Sequence, residues 1–263
     1  MDIWKPTRIE PQQCLHAQIG PLKLWLKRTL DELHIAVERQ AEEEAKAEVV
    51  ALEPTPGELP DGLSWGRWVI GEGTAEVWLL PAMPDRPLVV RPEARVKIPA
   101  GLEALFFVSI PVWVRISTGE GGELKLCEEP SVVLSNTWFG DPASGELCYS
   151  LLSRARRKLK SSDARPHRAI CPVRIHNAAA GQLDVQRLCV HAEHLRIYDG
   201  AKQPWTNEVK ITVRGEGQAS QIDFAKNPPN FEAVGELLSD ARTPVTHSIL
   251  KRGVSSLGLF GGA

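Results

Sequence analysis

The sequence lacks the short motifs that would assign it to a common enzyme class. It contains no Gly-x-Ser-x-Gly, no phosphate-binding glycine loop ending in Lys-Ser/Thr, and no His-Glu-x-x-His. It also lacks any apolar run of about 18 residues, and its N-terminus has no basic region followed by an apolar core. We therefore expect a protein that is neither exported by a signal peptide nor inserted in a membrane, and that resides in the cytoplasm.

An excess of charge and paired cysteines are lacking as well. Lys and Arg total 31 against 33 Asp and Glu, so the formal net charge is -2 and no overall field attracts nucleic acid. The five cysteines are scattered singly, without a C-x-x-C pair. We interpret them as free, buried thiols in a reducing compartment, at Cys14, Cys127, Cys148, Cys171 and Cys189.

Period-two patterns are abundant, whereas long helical patterns are scarce. Residues 22–27 and 33–37 alternate apolar with other side chains, which predicts an antiparallel hairpin closed by residues 28–32. Short runs bounded by Gly and Pro predict further strands. They lie at residues 65–70, 75–80, 88–91, 95–98, 105–117, 124–127, 131–134, 169–176, 183–198, 208–215 and 221–224.

This order of elements predicts a mainly β protein, an antiparallel sandwich or barrel of one or two closely packed β domains with one or two short helices. Helical spacing of apolar residues predicts a C-terminal helix over 231–241, while 147–159 fits a helix and a strand equally well. Residues 40–48 are interpreted as a short helix or a frayed arm. The end of a basic run suggests an N-terminal domain at 1–165 and a C-terminal domain at 166–263, although one unit is also compatible.

A basic segment is the strongest charge feature. Between Arg154 and Arg168, seven basic residues stand against one acidic residue, Asp163. Arginines of this kind pair bidentately with phosphates and carboxylates, although a basic segment is also compatible with a solvated surface. The candidate ligand-binding arginines are Arg154, Arg156, Arg157, Arg165 and Arg168.

A second candidate site surrounds Trp138, in an aperiodic stretch at residues 135–149. Asp141 and Glu146 flank a Pro-Ala-Ser-Gly sequence, and two carboxylates brought together there would suit acid–base hydrolysis. The same residues are also ordinary turn formers. A hydrolase-like enzyme is therefore the alternative to a binding protein.

Cys189, His191 and His194 come closest to a metal motif. In a strand, Cys189 and His191 point to one face and His194 to the other, so the three converge on one ion only across a bulge. We expect no metal site and no cofactor.

Four segments resemble an uncharacterised family, a domain of unknown function found in archaeal and bacterial proteins. The matching segments read SNTWFGDPASGELCYSLLSRARR, IGPLKLWLKR, RAICPVRIHN and RLCVHAEHLRIY. The resemblance supplies no activity and no catalytic residues; similar domains accompany mechanosensitive-type channel proteins, which implies regulation or binding. The leading hypothesis is a cytoplasmic binding or regulatory module for an anionic ligand or protein partner. The apolar stretch at 249–260 predicts docking onto the fold itself or a homo-oligomer.

Overall fold

The computed structural model of the protein describes residues 2–41, 49–51, 62–71, 76–159, 164–215, 218–231, 234–251 and 254–255. Within these ranges the chain is almost entirely strand, which confirms the predicted mainly β class, and it contains no α-helix. The helical segments are three single 3-10 turns, and none of them is long or apolar enough to cross a membrane. They lie at Asp2–Trp4, Glu120–Gly122 and Ala192–His194.

The strands are numbered in chain order. They are β1 Thr7–Arg8, β2 Cys14–Ile19, β3 Leu22–Arg28, β4 Glu32–Arg39, β5 Val49–Ala51, β6 Trp65–Val69, β7 Glu76–Ala82, β8 Leu88–Pro92, β9 Val96–Ile98, β10 Glu103–Pro111, β11 Trp113–Thr118, β12 Leu124–Pro130, β13 Ser135–Phe139, β14 Glu146–Ala155, β15 Arg168–Asn177, β16 Leu183–Val185, β17 Arg187–Val190, β18 Ile197–Gly200, β19 Trp205–Thr206, β20 Val209–Val213, β21 Ser220–Phe224, β22 Val234–Ser239, β23 Ile249–Lys251 and β24 Val254–Ser255.

The chain forms two compact units, each assembled from separate segments. Unit 1 comprises Met1–Ala82, Pro111–Val133 and Arg165–His167, and unit 2 comprises the remainder. The sequence suggested a single boundary after residue 165, whereas the chain also passes between the units after residues 82, 110 and 133.

Unit 1 contains two sheets. One has the strand order β1-β7-β11-β12 and the other β5-β2-β3-β4-β6. In β3 the leucines at 22, 24 and 26 are fully buried while the intervening side chains are half-buried, as the period-two pattern predicts. The predicted hairpin is confirmed, because Leu24 pairs with Val37 and Leu26 with Ile35 across β3 and β4. The sequence did not identify β2, which pairs with β3 along its whole length.

Unit 2 contains three sheets. The largest follows the order β22-β18-β19-β15-β20-β21-β23, with β10 pairing β15 beside that path, and β16 with β9 forms a two-stranded sheet. The third, called the β8 sheet here, has the order β13-β14-β8-β17-β24. Most pairs are antiparallel, but β14 pairs β8 in parallel, as β15 does with β19 and β20.

The structure corrects several details of the sequence-based prediction. The helix at 231–241 is wrong: residues 234–239 form β22, where hydrogen bonding to β18 overrides the helical spacing. The ambiguous segment at 147–159 is a strand through Ala155. The long strand at 105–117 is broken, since β10 ends at Pro111, and residues 131–134 form no strand. The predictions for 42–48 and 256–260 lie outside the described residues.

Candidate functional site

The β8 sheet gathers four potential metal-ligating side chains on one face. Glu146 and Cys148 are two residues apart on β14, and Cys189 on β17 is two residues before His191. Side chains two residues apart in a strand share a face. Because β14 and β17 flank the same central strand, β8, the two pairs face each other across it. We call Glu146, Cys148, Cys189 and His191 the Cys–His cluster.

The ligand atoms of the cluster lie close together. The Nε2 atom of His191 is 3.5 Å from Oε1 of Glu146, and the same Oε1 is 3.9 Å from Sγ of Cys189. One ligand atom from each of these three residues lies within 4.8 Å of the other two. The Sγ atoms of Cys148 and Cys189 are 4.0 Å apart. Within the described residues, no other group of His, Cys, Asp and Glu side chains reaches this proximity.

His191 is the unusual member of the cluster. Its side chain is fully buried, and neither ring nitrogen has a hydrogen-bond partner among the described residues. A buried polar group without a partner costs about 1–3 kcal/mol. Its Nδ1 atom is 3.4 Å from Oε1 of Glu193, within ion-pair range but not aligned for a hydrogen bond. The ring is thus held between two carboxylates, with Glu146 on the Nε2 side.

The surroundings of the cluster are rich in negative charge. The pKa of the Cys189 thiol is raised well above its ordinary value by its hydrogen bond with Cys148, by burial, and by the charges of Glu146 and Glu193. Lys251 on β23 donates to Oε2 of Glu146 at 2.7 Å. Burial lowers the pKa of Lys251, but the hydrogen bond to Glu146 and the nearby negative charges outweigh it, so the net shift is upward. Such a site favours a cation.

We predict that mild oxidation does not join Cys148 to Cys189 in a disulfide, although their sulfurs are close. The two residues lie on strands either side of β8, so their Cα atoms are separated by about 9.6 Å, twice the strand spacing of a sheet. A disulfide requires Cα atoms within about 7 Å. Non-reducing peptide mapping after treatment with oxidised glutathione checks this, and recovery of a Cys148–Cys189 linked peptide from the folded protein contradicts it.

The three metal candidates from the sequence have different positions. Cys189 and His191 belong to the cluster, whereas Nδ1 of His194 lies 2.7 Å from the carbonyl oxygen of Thr243. The 3-10 turn that begins after His191 redirects the chain, and the His194 ring lies 6.3 Å from the His191 ring. Sequence reasoning paired Cys189 and His191 correctly on one face but did not connect them to Glu146 and Cys148.

Asp141 and Glu146 have separate partners. Asp141 shapes the turn between β13 and β14: its carboxylate accepts the amide of Ala143 at 2.9 Å, and its carbonyl accepts Nε1 of Trp138 at 3.0 Å. Glu146 instead contacts Lys251 and faces the Cys–His cluster. The Trp138 ring is 45% exposed. The two carboxylates therefore serve the turn and the cluster respectively.

Most of the basic segment is engaged in internal contacts. The guanidinium of Arg156 is 3.5 Å from Glu93, that of Arg157 donates to the Leu105 carbonyl and stacks over Phe106, and the buried Arg168 donates to the Ser109 carbonyl at 3.1 Å. Arg165 belongs to unit 1, whereas the other four belong to unit 2.

Arg154 differs from these arginines. It is exposed on β14, and its Cα partner on β8 is a second exposed arginine, Arg91. Within the described part of the chain neither guanidinium has an ion-pair or hydrogen-bond partner. Paired residues on neighbouring strands carry their side chains on the same face, so two positive charges lie side by side. We call Arg91 and Arg154 the arginine pair. Sequence reasoning missed Arg91, because the pairing of β8 with β14 joins distant segments.

Comparisons with known proteins identify one family. The sequence profile described as "Protein of unknown function (DUF432)" matches residues 3–257, nearly the whole chain. No curated protein and no solved structure matches significantly. The chain therefore belongs to the DUF432 family of proteins of unknown function.

Proposed function

We propose that the protein is a binding module for a ligand that carries a phosphate or a similar oxyanion, and that the arginine pair binds this group. The observation that carries the proposal is the register of β8 and β14, which sets Arg91 directly beside Arg154. Like charges at directly opposite positions in a sheet are destabilising. The nearest acid along β8, Glu93, is already paired with Arg156. A bound anion would offset this repulsion.

The chemistry of the pair suits a small oxyanion. Each guanidinium presents a planar fork of donors that matches the oxygens of a phosphate or carboxylate. Hydrogen bonds to charged groups contribute about 1.5–3 kcal/mol, so one lost arginine corresponds to a loss of affinity of roughly ten-fold or more. The exposure of both side chains fits a ligand that arrives from solvent.

We predict that Arg154→Gln and Arg91→Gln each weaken binding of inorganic phosphate or pyrophosphate by at least about ten-fold. Isothermal titration of the full chain at low ionic strength measures this. Without anion, either substitution removes the repulsion and should raise the thermal midpoint slightly, whereas phosphate should raise the midpoint of the wild type only. Titration with acetate at equal ionic strength distinguishes a phosphoryl ligand from a carboxylate ligand.

Arg214→Gln is the matched control. Arg214 is exposed in the same unit and donates only to Gln221 among the described residues, so the change in net charge is identical. If all three variants bind phosphate equally well, or if Arg214→Gln weakens binding as much as the other two, the arginine pair is not the anion site.

Other parts of the proposal follow from the sequence. Within the described residues all five cysteines are free, which supports a reducing, cytoplasmic location. A homo-oligomer formed through the apolar C-terminus is proposed from composition, since residues 256–263 lie outside the described structure. A hydrolase using Asp141 and Glu146 is not favoured, because the two carboxylates have separate structural roles.

A further inference from the structure

We propose that the Cys–His cluster is a metal site that binds one divalent ion of the zinc class through Glu146, Cys189, His191 and Cys148. This site is distinct from the arginine pair and does not depend on it. The ligand set contains two thiols, one imidazole and one carboxylate. Sulfur and nitrogen ligands select zinc and related borderline-soft ions over magnesium or calcium, which prefer oxygen.

The distances between ligand atoms fit tetrahedral coordination. An ion about 2.3 Å from sulfur and about 2.0–2.2 Å from nitrogen or oxygen separates its tetrahedral ligands by roughly 3.4–3.8 Å. The measured separations are 3.5 Å for nitrogen to oxygen, 3.9 Å for oxygen to sulfur and 4.0 Å for sulfur to sulfur. Shifts of a few tenths of an ångström, within the reach of side-chain rotation, would close the cluster around an ion.

The unpartnered ring of His191 gives independent support. A histidine that is fully buried with both nitrogens unbonded has no role in a hydrogen-bonded core, and coordination by Nε2 would satisfy it. Metal-ligating histidines usually present their second nitrogen to a carboxylate, which orients the ring. Glu193 lies 3.4 Å from Nδ1, on the side away from Glu146.

Lys251 orients the carboxylate ligand in the same way. It bonds Oε2 of Glu146, which leaves Oε1 directed at His191 and Cys189. Glu193 and Lys251 are therefore assigned as positioning residues rather than ligands. The burial of both cysteines and of His191 describes a closed site. A closed site of four protein ligands is typical of a structural metal rather than a catalytic one.

The alternatives explain less. A disulfide between Cys148 and Cys189 is disfavoured by the strand between them. A purely apolar core accounts for the contacts of the two cysteines with Val89 and Phe139, but it gives no reason to bury an unbonded imidazole beside two carboxylates.

Cobalt binding by the reduced full-length protein tests the proposal. After treatment with a chelator and removal of it, the wild type should bind one equivalent of Co²⁺ with the absorption of a tetrahedral ion and a sulfur-to-cobalt charge-transfer band. One equivalent of Zn²⁺ should bleach both. Cys189→Ser should abolish binding, and Glu146→Gln should weaken it at least ten-fold. Failure of the wild type to bind cobalt or zinc stoichiometrically overturns the proposal.

Two controls keep the result interpretable. Cys171→Ser alters an equally buried cysteine of the same unit, on β15, and should bind cobalt like the wild type. If Cys189→Ser does not fold, Glu146→Gln decides, because Glu146 is partly exposed and its replacement keeps the side-chain shape. Equal cobalt affinity in Glu146→Gln and the wild type overturns the assignment of this ligand set. Arg154→Gln should retain cobalt binding, so the two proposals fail separately.

Discussion

Replacing Gly20 with alanine is expected to destabilise the protein by about 2–5 kcal/mol. Gly20 begins the turn between β2 and β3 with φ of +59°, a left-handed conformation that costs a residue with a Cβ roughly 1–2 kcal/mol. The added Cβ would lie 2.2 Å from Nδ1 of His167, and overpacking of this kind costs roughly 1–3 kcal/mol more. His167 is buried, and its carbonyl accepts the amide of Val112, so it has little room to move.

Gly121→Ala separates the two contributions. Gly121 has φ of +64°, but an added Cβ meets no atom within 4 Å, so this variant should lose only about 1–2 kcal/mol in denaturant unfolding. Adding His167→Ala to Gly20→Ala should recover part of the loss, as a double-mutant cycle would measure. Equal losses for Gly20→Ala and Gly121→Ala would contradict the steric argument.

The strands that alternate strictly were predictable from the sequence. In β3 and β4 one face is buried along the whole strand, so the apolar pattern fixes both the period and the pairing. The prediction was wrong where tertiary pairing outweighs local spacing, as in β22, whose Val234 and Leu237 repeat with helical spacing. There the hydrogen bonds to β18 decide, and they come from a segment more than thirty residues away.

The candidate sites were only half predictable for the same reason. The spacing in Cys189-Val190-His191 indicates two side chains on one face, and Glu146-Leu147-Cys148 carries the same signal. Nothing in the sequence states that β8 lies between them, because this order joins distant segments in parallel and antiparallel pairs. The arginine pair depends on the same pairing. The basic segment itself was visible, but most of its members bond to backbone carbonyls or to an acid.

Replacing Gly145 with alanine is expected to weaken both the fold and metal binding. The amide of Gly145 donates to the Asp141 carbonyl at 2.7 Å, and an added Cβ would lie 2.6 Å from the Phe139 carbonyl oxygen and 2.7 Å from that of Asp141. Both are backbone atoms of the turn, so the turn must open. We expect a loss of about 2–4 kcal/mol in the free energy of unfolding. Glu146 is the next residue, so cobalt affinity should fall at least about ten-fold through its displacement.

Gly181→Ala provides the comparison, because its added Cβ meets no atom within 4 Å and it lies in the same unit. It should leave both the unfolding midpoint and cobalt affinity near those of the wild type. Cobalt titration well below the unfolding midpoint keeps the folded fraction constant, so a change in affinity then reports the position of Glu146 and not global unfolding. A Gly145→Ala protein that loses stability but binds cobalt like the wild type would show that the turn does not position this ligand. A parallel loss in both would link the turn between β13 and β14 directly to the Cys–His cluster.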